Sequence, residues 1–153
     1  QRCADLRVDL PRVGLAGHLV RRVEAELLGH QFVGFAMMLA ARDVAETLDL
    51  RAICAWTSSG STAFRIARER PRAPVLALTP DIITARRLTL AWGVHAIVTE
   101  DAREGEDIAA RAGKIAVDAG FAGDGERIIV VAGLPFGTPG ATNMLRIAFT
   151  GGR

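Results

Sequence analysis

The chain has 153 residues, half of them hydrophobic and 24% charged, which favours one globular domain with a buried core. The net charge of +2 offers no electrostatic reason to expect a nucleic acid as partner. No apolar run approaches the ~18 residues of a membrane span, and no signal-peptide pattern is present, so we expect no membrane association. The cysteines, Cys3 and Cys54, do not suggest a disulfide scaffold, and a reduced, cytoplasmic protein is the plainer expectation.

Two helices are predicted near the start of the chain, after a loop or tail over residues 1–15. Helical spacing predicts an amphipathic helix over Gly17–Leu28, whose apolar positions are Leu19, Val20, Val23, Leu27 and Leu28. Gly29-His30 interrupts this pattern, and a longer helix is predicted over Phe32–Leu50. The first half of the longer helix is apolar on every side, so it is either deeply buried or covered by a second subunit or domain.

Strand and helix patterns alternate from residue 52 onward. The predicted strands are Ala52–Thr57, Val75–Thr79, Val94–Thr99, Arg127–Ala132 and Met144–Thr150. The predicted helices are Ser61–Glu69, one opened by Pro80-Asp81, and Glu104–Ala119. In the helix after Pro80, the residues expected to face the sheet are Ile82, Ile83, Ala85, Leu88 and Trp92, with Arg86 and Arg87 outward.

The predicted fold class is α/β, with three αβα layers around a five-stranded, mostly parallel sheet. Only the last strand is expected to be antiparallel, because it follows the fourth too closely for a parallel crossover.

A small, hydroxyl-rich turn after the first strand is the strongest candidate site. It comprises Thr57, Ser58, Ser59, Gly60, Ser61 and Thr62. A buried strand that runs through such a turn into a helix presents free N–H groups and the positive end of the helix dipole, which favours a phosphate or other anion. The alternative is that Ser59 or Ser61 merely caps the helix.

A second candidate loop, Gly133–Thr142, follows the fourth strand and is rich in glycine and proline. Its candidate anion-binding residues are Gly137, Thr138 and Gly140. Because parallel sheets bind ligands beyond the carboxyl ends of their strands, the two loops converge on one pocket if their strands are neighbours. The alternative is a tight connection without a ligand.

Other recognisable sites are missing from the sequence. There is no Walker A motif and no dinucleotide-binding glycine motif after a strand. The histidines His18, His30 and His95 have no partners at metal-ligand spacing, and Ser58 and Ser59 lack a nucleophile elbow. Trp56 and Trp92 are interpreted as core or wall residues. We therefore expect no catalytic residue and no metal ligand in this chain, which binds but does not catalyse.

Several stretches, in this order, closely resemble the C-terminal domain of pyruvate kinase. They are Ala52-Ile53 with Thr57–Ala63, Arg70–Thr79 (RPRAPVLALT), Arg86-Arg87-Leu88 with Trp92-Gly93-Val94, and Ala132–Asn143 (AGLPFGTPGATN). The resemblance covers about residues 36–150 and divides the chain into a lead-in segment, 1–30, and an α/β domain, 31–153.

The resemblance implies a function for the whole enzyme. Pyruvate kinases transfer a phosphoryl group from phosphoenolpyruvate to ADP in glycolysis, with Mg²⁺ or Mn²⁺ and usually K⁺. Their active site lies in a preceding TIM barrel, and the C-terminal domain carries an allosteric effector site and part of the interface of a homotetramer. By resemblance, the effector loops are Thr57–Thr62 and 136–142. This segment alone should bind no cofactor and should be inactive.

One departure bears on the effector. Forms regulated by fructose bisphosphate often use a basic residue in or near these loops, whereas Gly133–Thr142 contains no arginine or lysine. A monophosphate, or no effector, is therefore expected. Two alternatives remain open: a free-standing module that binds a phosphorylated metabolite without kinase activity, and an interaction domain with no ligand.

Overall fold

The structure is a computed structural model that describes residues 32–101, 107–135 and 142–151. Its helices are α1 (residues 32–47), α2 (Ser61–Arg68), α3 (Ile82–Leu88) and α4 (Ile108–Asp118). Its strands are β1 (Ile53–Trp56), β2 (Val75–Thr79), β3 (Val94–Val98), β4 (Arg127–Gly133) and β5 (Thr142–Phe149). The predicted helix over Gly17–Leu28 and the lead-in segment lie outside the described residues.

The five strands form one sheet in the order β3-β2-β1-β4-β5. Strands β1 to β4 are mutually parallel, and β5 pairs antiparallel with β4. Ile53 of β1 lies opposite Val75 of β2 on one side and Ile129 of β4 on the other. The predicted sheet is confirmed, and its central strand is the one that leads into the hydroxyl-rich turn.

Two hydrophobic clusters lie on opposite faces of the sheet and make it three-layered. Successive strand residues point to opposite faces, so Ile53 and Ala55 join one cluster and Cys54 and Trp56 the other. The first cluster includes buried residues of α1, α2 and α3, and the second includes buried residues of α4. Strands covered on both faces are expected to be near-continuously apolar, as β1, β2 and β4 are.

The predicted inner face of α3 is partly wrong. Ala85 and Leu88 are buried as predicted, together with Thr84. However, Ile82, Ile83 and Trp92 are exposed, by 50%, 63% and 63% respectively. The reason is the shortness of α3: its buried positions 84, 85 and 88 already fill one helical face, and Trp92 follows the helix end. The predicted core or wall role therefore holds for Trp56 alone.

Two helix boundaries also differ from the prediction. In α1 the helical residues stop at 47, three residues before the predicted end, and Leu50 is buried beyond the turn. Helix α4 begins at Ile108 rather than at Glu104, because the Asp107 carboxylate accepts hydrogen bonds from the N–H groups of Ala109 and Ala110. Among the described residues, no helix has the length and apolar character needed to cross a membrane.

Candidate functional site

The turn after β1 is built around a glycine with positive φ. Gly60 is the N-cap of α2 at φ +85°, a conformation that glycine adopts without steric cost. Its N–H donates to Thr57 Oγ1 at 2.9 Å, which closes the turn. A Cβ at this position would lie 3.2 Å from Thr84 Cγ2, so a side chain would fit only if α3 moved by a few tenths of an ångström. Backbone conformation and close packing both favour glycine here.

Helix α2 starts without a side-chain cap. The Ser59 hydroxyl donates to the Ser61 hydroxyl at 3.2 Å, so neither serine has the capping role considered as the alternative. Within the described part of the chain, no group accepts a hydrogen bond from the N–H of Ser61 or Thr62. These N–H groups lie at the positive end of the helix, which is the arrangement that attracts an anion.

The two candidate loops leave the same edge of the sheet. Strands β1 and β4 are adjacent and parallel, so their carboxyl ends lie side by side. At that edge Thr62, in the first turn of α2, lies with its Oγ1 3.0 Å from Oγ1 of Thr142, the first residue of β5. Both threonines are buried. The fold therefore joins the start of α2 to the end of the second loop through a direct hydrogen bond.

The base of the second loop is closed by an asparagine. The Leu134 N–H donates to Asn143 Oδ1 at 2.8 Å, and Asn143 Nδ2 donates to the Leu134 carbonyl at 2.6 Å. The Leu134–Pro135 peptide bond is cis, and the β4–β5 pairing is irregular between Ala132 and Gly133. The predicted site residues Gly137, Thr138 and Gly140 lie outside the described residues.

Two residues at this edge, Asn143 and Arg111, lie outside both predicted loops. Thr142 ends the second predicted loop, although it was not singled out there as an anion-binding residue, and Asn143 follows it directly in the Ala132–Asn143 stretch of the resemblance. The guanidinium carbon of Arg111, in α4, lies 5.0 Å from the centre of the Trp56 ring, and its Nη2 donates to Thr99 Oγ1 at 2.8 Å. Arg111 therefore places a positive charge beside the carboxyl end of β1, on the face of the sheet that α4 covers. Residues three apart lie on the same side of a helix, so the buried Ile108 could have indicated that Arg111 also lies near the sheet.

Cys54, Trp56 and His95 are the other polar or reactive side chains of β1 and β3 that the sequence analysis considered. Cys54 is fully buried, and burial raises the pKa of its thiol from 9.0 to about 12, so no thiolate forms at neutral pH. The indole N–H of Trp56 is buried without a hydrogen-bond partner among the described residues. His95 is exposed and contacts the Phe121 ring at 4.6 Å. In the part of the chain that is described, no three histidine, cysteine or acidic residues form a group able to hold a metal ion.

Comparison with known proteins places the chain beside one family. A family model described as the pyruvate kinase alpha/beta domain matches residues 36–148. A pyruvate kinase of Methylorubrum extorquens is 61% identical over 114 residues, which are 74% of this chain and 24% of the relative. A pyruvate kinase of Agrobacterium vitis is 46% identical over 116 residues, or 76% of this chain and 24% of the relative. This chain thus spans about a quarter of the length of these relatives.

Proposed function

This chain belongs to the pyruvate kinase alpha/beta domain family, and on that premise we propose that it is the C-terminal regulatory and subunit-assembly domain of a pyruvate kinase. The whole enzyme would convert phosphoenolpyruvate and ADP to pyruvate and ATP. The observation that carries the regulatory role is the 3.0 Å contact between Thr62 and Thr142, because it brings the two candidate loops together at one sheet edge.

The proposed ligand is a phosphate ester held between these loops. Ser58 and Ser59 are exposed and Ser61 is half-buried, so their hydroxyls can turn toward a ligand. The uncapped start of α2 adds N–H donors and a favourable dipole. The proposed contact residues in the second loop are Gly137, Thr138 and Gly140, by resemblance. The lack of arginine and lysine in Gly133–Thr142 favours a monophosphate over a bisphosphate.

Thermal-shift titration with sugar monophosphates, nucleotides and inorganic phosphate tests this pocket. A ligand that binds only the native state must raise the unfolding midpoint, by an amount equivalent to about 2.7 kcal/mol at a hundred times its Kd. The serines at 58, 59 and 61 should each be replaced by alanine, since these hydroxyls do not close the turn as Thr57 does. Each lost hydrogen bond should weaken binding by ~1 kcal/mol, or roughly five-fold.

Thr89→Ala is the matched control for these variants. The Thr89 hydroxyl is exposed and donates to the Arg86 carbonyl at the end of α3, where that helix leads into the amino end of β3. Removing it should leave phosphate-ester binding unchanged. An absence of binding by every phosphate ester, or equal losses in the serine variants and the control, would refute the pocket and favour an interaction domain without a ligand.

The proposed assembly role rests on β5, which lies at one edge of the sheet. Its Ile147 and Phe149 are exposed large apolar residues two positions apart, so they share one face of the strand. An apolar edge strand of this kind is normally covered by another chain or element. We expect a homo-oligomer, a tetramer by resemblance. Phe149→Glu should dissociate it in sedimentation experiments, whereas Leu90→Glu, at an exposed apolar residue of another surface, should not.

The remaining proposals concern the longer enzyme. A catalytic barrel would precede this domain, the reaction would require Mg²⁺ and K⁺ there, and the enzyme would be cytoplasmic. The 153-residue chain should then show no turnover of phosphoenolpyruvate and ADP. Measured turnover by this chain would overturn the assignment. If the native gene encodes no barrel, the alternative is a free-standing module that binds a phosphorylated metabolite.

A further inference from the structure

A basic corner lies at the amino edge of the sheet, where the chain enters β2 and β3. In the described part of the chain, none of its arginines forms an ion pair with a carboxylate. All five are exposed: Arg68 at the end of α2, Arg70 and Arg72 in the connection that follows, and Arg86 and Arg87 in the last turn of α3.

The acidic residues nearest in sequence do not neutralise the basic corner. Glu69 is half-buried and lines the groove toward α1. Asp81 lies at the other end of α3, where its carboxylate accepts hydrogen bonds from the N–H groups of Ile83 and Thr84. Residues 61–98 hold six arginines and only these two carboxylates, a surplus of four positive charges, whereas the whole chain carries +2. This concentration of positive charge fits an anionic partner.

Two large apolar side chains project from the same corner. Leu90 is 89% exposed, more than any other large apolar residue described, and Trp92 is 63% exposed. The Leu90 N–H donates to the Arg87 carbonyl, so the chain turns at once after α3 and keeps this loop beside the end of the helix. The guanidinium carbon of Arg70 lies 5.7 Å from the centre of the Trp92 ring, which joins the connections before β2 and β3. Apolar and basic side chains therefore share one surface.

The charge and chemistry of the basic corner narrow the choice of partner. A symmetric contact with a second copy would set arginines against arginines, which repel each other. A nucleic acid would bind the arginines and stack on Trp92, but it gives an exposed aliphatic side chain such as Leu90 no stacking partner. An anionic bilayer suits all three residue types, because lipid phosphates attract arginine, tryptophan prefers the membrane–water interface and acyl chains accept leucine.

We propose that the basic corner binds the surface of an anionic membrane, with Leu90 and Trp92 at the headgroup boundary and the arginines against lipid phosphates. Such a contact is peripheral and needs no membrane span. It therefore revises the expectation of no membrane association, which considered only spans and signal peptides. The proposed phosphate-ester pocket lies at the opposite, carboxyl edge of the sheet and would face away from the lipid.

Sedimentation of the full 153-residue chain with vesicles tests the proposal. The chain should bind vesicles of equimolar phosphatidylglycerol and phosphatidylcholine at low salt, bind them much less at high salt, and not bind pure phosphatidylcholine. On binding, the fluorescence emission of Trp92 should shift to shorter wavelength, because its ring leaves water. The shift should be absent in Trp92→Phe, since Trp56 is already buried in the free chain.

Single substitutions locate the contact. Arg72→Gln should weaken vesicle binding by roughly five-fold, and Leu90→Ser should weaken it as well. Two matched controls should bind nearly as the wild type does. Lys114→Gln removes the same charge from an exposed position of α4, and Ile83→Ser removes an exposed apolar side chain from the start of α3, at the other edge of the sheet. Equal losses in variants and controls, equal binding to both kinds of vesicle, or no binding at low salt would overturn the proposal.

A single-stranded oligonucleotide distinguishes the other class of polyanion. If it displaces the chain from the vesicles and binds Leu90→Ser as tightly as the wild type, the basic corner is a nucleic-acid site and the membrane assignment is wrong. If the vesicles retain the chain in its presence, the membrane assignment is supported. None of these variants alters the phosphate-ester pocket or β5, so this proposal can fail while the proposed function stands.

Discussion

The hydroxyl oxygens of Thr62 and Thr142 lie 3.0 Å apart although 80 positions separate them in sequence. Both side chains are buried, one in the first turn of α2 and the other at the first residue of β5. A hydrogen bond between two buried hydroxyls leaves each dependent on the other, because water cannot replace a lost partner. The contact therefore ties the start of α2 to the beginning of the edge strand.

Replacing both threonines together should lower the free energy of unfolding by less than the sum of the two single replacements. Thr62→Val or Thr142→Val leaves one buried hydroxyl without a partner, at an expected cost of about 1–3 kcal/mol in the free energy of unfolding. The double variant should cost clearly less than the sum. Urea unfolding of all four proteins gives the coupling energy directly. Additive losses would show that the two hydroxyls do not depend on each other.

Gly60→Ala should be among the more damaging single substitutions in the turn. It combines a positive φ of +85° with a Cβ only 3.2 Å from Thr84 Cγ2, so we expect a loss of about 2 kcal/mol or more. Gly93→Ala is the matched control, since Gly93 has φ +70° and no atom within 4 Å of an added Cβ. The difference between the two variants in thermal or urea unfolding isolates the clash with α3. Equal losses of stability in the two variants would mean that α3 moves away from the added Cβ without lowering the free energy of unfolding.

The ionised carboxylate of Glu126 should stabilise the folded protein at neutral pH, and this stabilisation should be lost in acid. The hydrogen bond from the Gly123 N–H lowers the pKa of its carboxyl, and Arg51, whose Nε donates to it at 3.0 Å, lowers it further. Because the pKa is lower in the folded state than the unfolded value near 4.5, this stabilisation is complete above that value. It is lost as the pH falls through the depressed folded pKa.

Unfolding midpoints of the wild type and Glu126→Gln between pH 2 and 7 check this sign. The difference between them should shrink steadily as the pH falls. Arg51→Gln should reduce the pH dependence only in part, because the backbone hydrogen bond from Gly123 remains. A difference that stays constant down to pH 2 would contradict the assignment.

The Cys54 thiol should be inert in the native protein. Its pKa is raised to about 12 by burial, so in a Cys3→Ser background a thiol reagent should react only at the rate of unfolding. The same shift makes stability fall as the pH rises from about 9.0, where the thiol ionises in the unfolded chain, toward 12. Cys54→Ala should remove that part of the alkaline pH dependence. Rapid labelling of the native protein at pH 8 would show that the strand opens.

Most of the sheet could be predicted from local patterns. Continuous apolar runs such as Val75–Thr79 indicate strands covered on both faces, and the short connection before Met144 already requires an antiparallel return. The hydroxyl-rich turn was also visible, because the residue types of Thr57–Thr62 suit a helix start whatever surrounds them.

Tertiary contacts alone decided the remainder. Periodicity could not tell that Ile82 and Trp92 are exposed, because this depends on where α3 ends against the sheet. Nor could it choose between a serine cap and an open helix start, since Ser59 suits both and only its contact with Ser61 separates them. The order of strands placed β4 beside β1 and so brought Thr142 to Thr62. A local pattern specifies which elements form, whereas the meeting of distant residues depends on how those elements pack.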